Sequence, residues 1–316
     1  MHAFIITRIA RGVPVLVVVS LLVFGALHIL PGDPFLASQG TQVTLTAEDL
    51  AKLRAEVGLD QPFYVQYLRW VVAGLQGDLG VSYYNQRRVT DLVALRLPAT
   101  LELTFVALVL ALAIAVPAGI LAAVRRGSPL DYLVTGIGTI GMSLPGFWLG
   151  IMMILLFSVH LGWFPAVGFE PLLQNPVENL KHIVLPACTL GFILVAPTMR
   201  VLRSSTLDVI RQDYVQTARA KGLPEWIVIL RHVLKAALIP TLTIVGLQLG
   251  YLLGGSVIIE WVFGWPGLGQ LTVESIKLRD YAVVQSTVML FALGFILINL
   301  TVDLLYGVLD PRIGSA

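Results

Sequence analysis

Stretches without a single Asp, Glu, Lys or Arg dominate this chain. They are Gly12–Leu30, Leu103–Val124, Tyr132–Phe169, Ile183–Met199, Ala236–Ile259 and Tyr281–Val302. A helix of about 20 apolar residues crosses a bilayer core, so each run predicts a membrane span. The first run follows Arg8 and Arg11 as a signal peptide would, but signal h-regions hold about 7–15 residues and end in a small-residue cleavage site. This run is longer and continues into HILPGDP with no A-x-A pattern, so it is read as a retained first helix.

The third run, Tyr132–Phe169, is long enough for two crossings. Arg125 and Arg126 follow the second run, and Arg200 and Arg203 follow the fourth. Short basic loops stay on the cytoplasmic side, which requires an even number of spans between the two clusters. Tyr132–Phe169 therefore crosses once, with its excess around Gly162-Trp163-Phe164-Pro165 at the interface. The prediction is an all-α integral membrane protein with six spans and both termini cytoplasmic. Arg8, Arg11, Arg125, Arg126, the cluster from Arg200 to Lys235 and Arg312 then lie inside. The two short outer loops carry only Lys181, Lys277 and Arg279.

The chain divides into a first span (1–31), an extracytoplasmic insert (32–98) and a five-span core (99–316) that includes a polar loop at 203–235. Within the insert, Ala47–Val57 and Pro62–Leu75 read as helices, the second with Tyr64, Tyr67 and Trp70 on roughly one face. Composition agrees: 57% hydrophobic and 13% charged, about half the charge of a soluble domain. A net charge of +2 gives no ground for a nucleic-acid partner. Membrane lipid is the expected surrounding. The lone Cys188 excludes an intrachain disulfide and any multi-cysteine metal site. No metal is expected.

The polar loop is patterned like folded structure. Ser205 or Thr206 can cap a helix, with Asp208 in its first turn. Leu207, Ile210, Tyr214, Thr217 or Ala218, and Lys221 keep helical spacing. Gly222 ends that helix as a residue free to take positive φ, and Pro224 with Glu225 opens the next. Ala218 and Ala220 make part of the surface low enough for another backbone to approach, with Arg219 and Lys221 beside it for an acidic partner. The alternative is an amphipathic helix resting on anionic lipid heads. The scarcity of large apolar residues near the turn favours a protein partner.

QTARAKG, Gln216–Gly222, resembles the EAA-x-x-x-G loop of binding-protein-dependent ABC importer permeases. Gln216 and Thr217 stand where that pattern has Glu and Ala. The segments LPGDP (Leu30–Pro34), GLDQPFYVQYLRW (Gly58–Trp70), GDLGVSY (Gly77–Tyr83), RLPATLELT (Arg96–Thr104), GLQLGYLLGGSVIIEWVFGWPGLGQL (Gly246–Leu271), RDY (Arg279–Tyr281) and NLTVDLLYGVLDPR (Asn299–Arg312) resemble the peptide/nickel branch. The likeness spans nearly the whole chain and is that of a DppB-like transmembrane subunit. It implies an ATPase-coupling role for Tyr214, Thr217, Ala218, Arg219, Ala220, Lys221, Gly222, Leu223 and Glu225. It also implies a DppC-like second permease, two ABC ATPase subunits that bind ATP and Mg, and an extracytoplasmic substrate-binding protein, all at a prokaryotic inner membrane. Di- or oligopeptides are the implied cargo, with glutathione or nickel chelates also open.

The chain itself has no P-loop string G-x-x-x-x-G-K-[ST], so no catalytic residue and no cofactor are expected in it. Several residues stand out as pathway or gate candidates. Asp303 is late in the sixth span, where a gate role competes with simple access to cytoplasmic water. Ser143 and Pro145 follow Gly136-x-Gly138-x-x-Gly141, where close helix packing competes with a break beside a cavity. Phe263 and Trp265, in FGWPGLG, suit either an outer gate or an interfacial aromatic anchor. A stand-alone ion-coupled carrier is the rival reading, but it predicts inverted repeats and midplane ionisable groups, and neither is clear. A structural subunit with no pathway of its own is a third.

Overall fold

A computed structural model describes residues 2–29 and 60–309. Regular structure among these residues is helical, apart from one isolated bridge pairing Val81 with Arg88. The helices are α1 His2–Ile29, α2 Phe63–Leu75, α3 Val89–Val124, α4 Pro129–Ser143, α5 Gly146–His160, α6 Pro176–Ile210, α7 Asp213–Ala220, α8 Glu225–Phe263, α9 Leu268–Lys277 and α10 Tyr281–Leu309. The stretches Ile154–His160 in α5 and Val228–Val233 in α8 are wound as π-helix.

Five of these helices, α1, α3, α6, α8 and α10, are individually long and apolar enough to cross a bilayer; α4 and α5, taken as one bent span, would be a sixth. That pair is bent by 105°. Leu144 and Pro145 take extended dihedrals between the two halves. Proline removes an amide donor and pushes the residue before it out of the helical region. The third apolar run thus forms a broken unit, not one straight rod.

The spans extend beyond the charge-free runs that predict them. Helix α3 starts at Val89 and passes through Asp91, Arg96 and Glu102, so the boundary drawn at 98/99 falls inside a continuous helix. Pro98 lies inside that helix and withdraws one backbone donor from it, and the helix continues because the backbone follows hydrogen bonding, not charge. The predicted helix at Ala47–Val57 lies outside the described residues. The helix predicted at Pro62–Leu75 forms with Pro62 as its cap.

Helix α6 is the central member, packed on α3, α4, α5 and α8. Its partner α3 places Ala99, Leu103, Ala107, Ala111, Ala115 and Gly119 every fourth residue, and all are buried. On α6, a side chain at Gly191 would strike the Ala107 carbonyl. Membrane helices lack a hydrophobic drive between them and associate through such close backbone approach. Gly138 and Gly141 serve the same purpose between α4 and α6, facing Met199 and Phe192, while Gly250 admits Phe295 between α8 and α10. The packing reading of both glycine-rich segments therefore stands at these positions, although Gly136 and Gly254 meet nothing within 4 Å.

Candidate functional site: the loop between α6 and α8

Helix α6 does not stop at Ser205 or Thr206. It runs through both to Ile210, and Thr206 is buried in mid-helix, so neither residue is a cap. The chain turns at Arg211–Gln212 and restarts as α7, with Gln212 extended as its cap and Asp213 in its first turn. The amino-terminal positive end of a helix favours that carboxylate. Gly222 has φ of +75° and its amide donates to the Arg219 carbonyl, so it closes α7 in the left-handed conformation expected of it. Pro224 then caps α8, with Glu225 its first residue. Of the segment 203–235, only the two joints flanking α7 are non-helical.

The helical phase of α7 decides what each residue meets. Val215 and Ala218, three apart, face inward and are buried. They join Leu202 and Val209 of α6 and Val228, Ile229, Val233 and Ala237 of α8 in one apolar cluster. Ala218 therefore packs against its own chain, and the low surface expected there for another protein is filled. Arg219 is likewise committed within the loop. Its guanidinium donates from Nη2 to Glu225 Oε1 at 2.6 Å and from Nε to Oε2 at 3.1 Å. That partner raises the guanidinium pKa further. Tyr214, Thr217, Ala220, Lys221, Gly222, Leu223 and Glu225 remain outward. Trp226, absent from the sequence-based set, is the most conspicuous outward group, with 66% of its surface exposed. Its position just after the proline was the available signal.

Two polar anchors sit behind this loop. Ser128 accepts from the Asp131 amide to cap α4, behind Pro129. Asp131, buried, accepts from Arg203 Nε and Nη2 at 2.7 Å each. This fork-on-carboxylate pair is the strong form of a charged hydrogen bond, and it ties α4 to α6 about two turns before α6 ends at Ile210. Arg8 of α1 meets Asp303 of α10 at 2.9 Å, so Asp303 ties two helices together and is half-buried beside a cation.

At the opposite ends of α3 and α8, the remaining candidates divide. Phe263 and Trp265 are both buried, so neither ring is an exposed interfacial anchor. Gly264 takes φ of +61° and turns the chain back. Trp265 then inserts against Phe169 and donates Nε1–H to the Ala99 carbonyl at 2.8 Å. Next to it, Thr100 Oγ1 donates to Glu260 Oε1 and accepts from the Leu268 amide, both at 2.8 Å. Glu260 Oε2 accepts from the Gln270 amide. A side chain on Gly267 would collide with that carboxylate. None of Thr100, Glu260 and Asp280 was singled out from sequence. Asp280 accepts from Ser82 Oγ and from the Tyr83 amide. Burial, and then the Asp280 charge, push the Tyr83 phenol up to about 12. By contrast, Ser143 and Pro145 are exposed at the α4–α5 break, on the side of α4 that also exposes Thr135 and Thr139.

Comparison with known proteins fits this geometry. Residues 115–315 match the binding-protein-dependent transport system inner membrane component family, and residues 1–104 match its amino-terminal counterpart. The chain is 44% identical over 310 residues to the glutathione transport system permease protein GsiC of Escherichia coli K12, covering 98% of each. The GsiC of Shigella dysenteriae shows the same identity and coverage. Among solved structures, the inward-facing methionine ABC transporter MetNI superposes with a TM-score of 0.57 at 22% identity, over 69% of this chain and 96% of that one. An amino acid ABC transporter with histidines gives 0.51 at 15%, over 69% and 94%. The relatives are permease subunits, with ATP hydrolysis in separate subunits and a substrate-binding protein and second permease as the family's partners. With five to six apolar spans, the chain belongs to the binding-protein-dependent transport family as a multi-pass inner-membrane permease subunit of an ABC importer, not an enzyme.

Proposed function

We propose that this subunit carries a small peptide, of the di- or oligopeptide or glutathione class, through a pathway shared with a DppC-like permease. The chain takes its drive from the ATPases through the α7 turn. One observation carries the coupling role: α7 is welded to α6 and α8 by a single buried cluster, while its outer side offers Tyr214 and Thr217 and the turn into α8 offers Leu223 and Trp226. Force applied to α7 therefore moves two long spans as one body. Interiors are close-packed and transmit displacement instead of absorbing it.

In this reading the termini and α7 are cytoplasmic. ATP and Mg bind in the partner ATPases, and the exposed groups around Trp226 seat in a cleft of one of them. Of the two basic residues beside the Ala218–Ala220 surface, Lys221 is the one left outward for an acidic partner, since Arg219 is held by Glu225. Movement of α8 then reaches the Trp265–Ala99 and Glu260–Thr100 contacts at the far end, where release of cargo from the binding protein would be gated. Ser143, Pro145 and the hydroxyls of Thr135 and Thr139 on the exposed side of α4 are the pathway residues. The named cargo of the 44% identical relatives supports a peptide substrate. Uptake of labelled glutathione and dipeptides into proteoliposomes holding the whole importer tests it. Competition by peptides is expected, and uptake of neither class would overturn the substrate assignment.

A further inference from the structure

Helix α2 belongs to a segment that the sequence places outside the membrane, yet its contacts put it beside the membrane-spanning part of α1. Tyr67 Oη and Ser20 Oγ share a hydrogen bond of 2.8 Å. Phe24 is ringed by Phe63, Tyr67 and Trp70 at centroid distances of 5.1, 5.5 and 5.7 Å. Near the end of α1, His28 Nε2 meets Gln66 Oε1 at 3.0 Å. Ser20 is nine residues before Ile29, so at 1.5 Å per residue Tyr67 reaches about 13 Å back from the helix end. The apolar window of α1 is Ala10–Ile29, which is about the length of the hydrocarbon core. Tyr67 thus bonds a hydroxyl well inside that window.

The phase of α2 gives it three faces. Phe63, Tyr67 and Trp70 point to α1. Arg69 and the capping Gln76 lie on an exposed polar side, while Gln66 turns back to His28. Tyr64, Leu68, Val72 and Leu75 form an exposed apolar stripe, with Leu75 84% exposed. On α1, Val18, Leu21 and Leu22 are exposed apolar groups in the same stretch that α2 contacts, so both helices expose apolar side chains at this level of α1. Thirteen residues make about 20 Å of helix, too short to cross. An amphipathic helix with a polar face and no span length lies in the interface with its apolar side sunk about 5–10 Å.

We propose that α2 is a membrane-embedded helix that seats the Tyr64, Leu68, Val72 and Leu75 stripe among lipid acyl chains beside α1. The experiment uses the complete importer in proteoliposomes, in a Cys188→Ala background. Single variants Leu68→Cys, Leu75→Cys, Arg69→Cys and Gln76→Cys each carry an environment-sensitive fluorophore. Nitroxides on lipid acyl chains are expected to quench the probes at 68 and 75, with emission shifted to the blue, while a water-soluble quencher reaches those at 69 and 76. Quenching at 68 and 75 by the aqueous reagent would overturn the proposal by placing the stripe in water. Protection of both positions from both reagents would also overturn it, by assigning the stripe to a partner subunit. Agreement between two separate stripe positions guards against one variant that fails to fold.

Discussion

The indole of Trp265 donates to the carbonyl of Ala99, joining residues 166 apart in sequence. The bond fastens the turn after α8 to α3, and Trp265 is completely buried. Trp265→Phe keeps an aromatic ring and removes the donor, so it should cost about 1 kcal/mol. Trp265→Ala also empties the space and should cost about 3–5 kcal/mol. Thermal unfolding of the detergent-solubilised complex checks both. Equal, negligible effects would mean that this turn is loosely held.

Glu260 is a buried carboxylate surrounded by donors. Thr100 Oγ1 and the Gln270 amide both point at it. Glu260→Gln turns an NH2 group toward groups that also donate, and a buried donor left unmatched costs about 1–3 kcal/mol. Thr100→Val removes the hydroxyl that links Glu260 to the Leu268 amide. The double variant should lose less than the sum of the two singles, because both break one network. Unfolding midpoints of the four proteins provide the comparison.

Arg219 and Glu225 bond across the α7 turn, and Glu225 is half-exposed. An exposed pair of this kind contributes about 0.2–1 kcal/mol. Arg219→Ala should therefore leave stability nearly unchanged, and the exchange Arg219→Glu with Glu225→Arg should restore uptake lost in either single. If the exchanged pair stays as impaired as the singles, Arg219 acts on a partner and not on the loop.

Gly222 holds φ of +75° with open space where a side chain would go. The obstacle to substitution is conformational, because a left-handed backbone costs an ordinary residue about 1–2 kcal/mol. Gly222→Asn, which tolerates that conformation, should retain more uptake than Gly222→Val. Ala218→Arg would force a charge into the α6–α7–α8 cluster, so its failure would report on packing before it reported on any partner.

The apolar runs were enough to locate the spans, because length without charge is what a bilayer selects. They misplaced the ends, since α3 continues through Asp91, Arg96 and Glu102, where only hydrogen bonding matters. The α7 turn was readable because Gly222 and Pro224 each have a backbone reason to be there. The inward face of Ala218 was not readable, because a small residue suits a partner and a core equally well. The burial of Trp265 was hidden for a related reason. Aromatic residues among glycines read as an interfacial turn, and the Ala99 carbonyl that receives its N–H comes from a distant span. Likewise GDLGVSY and RDY stood apart in sequence, and the contact of Ser82 with Asp280 that unites them has no local signature.

The central claim is that the outward side of the α7 turn seats the ATPase. Purification of the complex carrying Trp226→Glu with Leu223→Glu, both exposed, tests it most directly. The second permease should copurify as before while the ATPase subunits are lost and ATP-dependent uptake falls to background. Retention of the ATPases with uptake unchanged would contradict it.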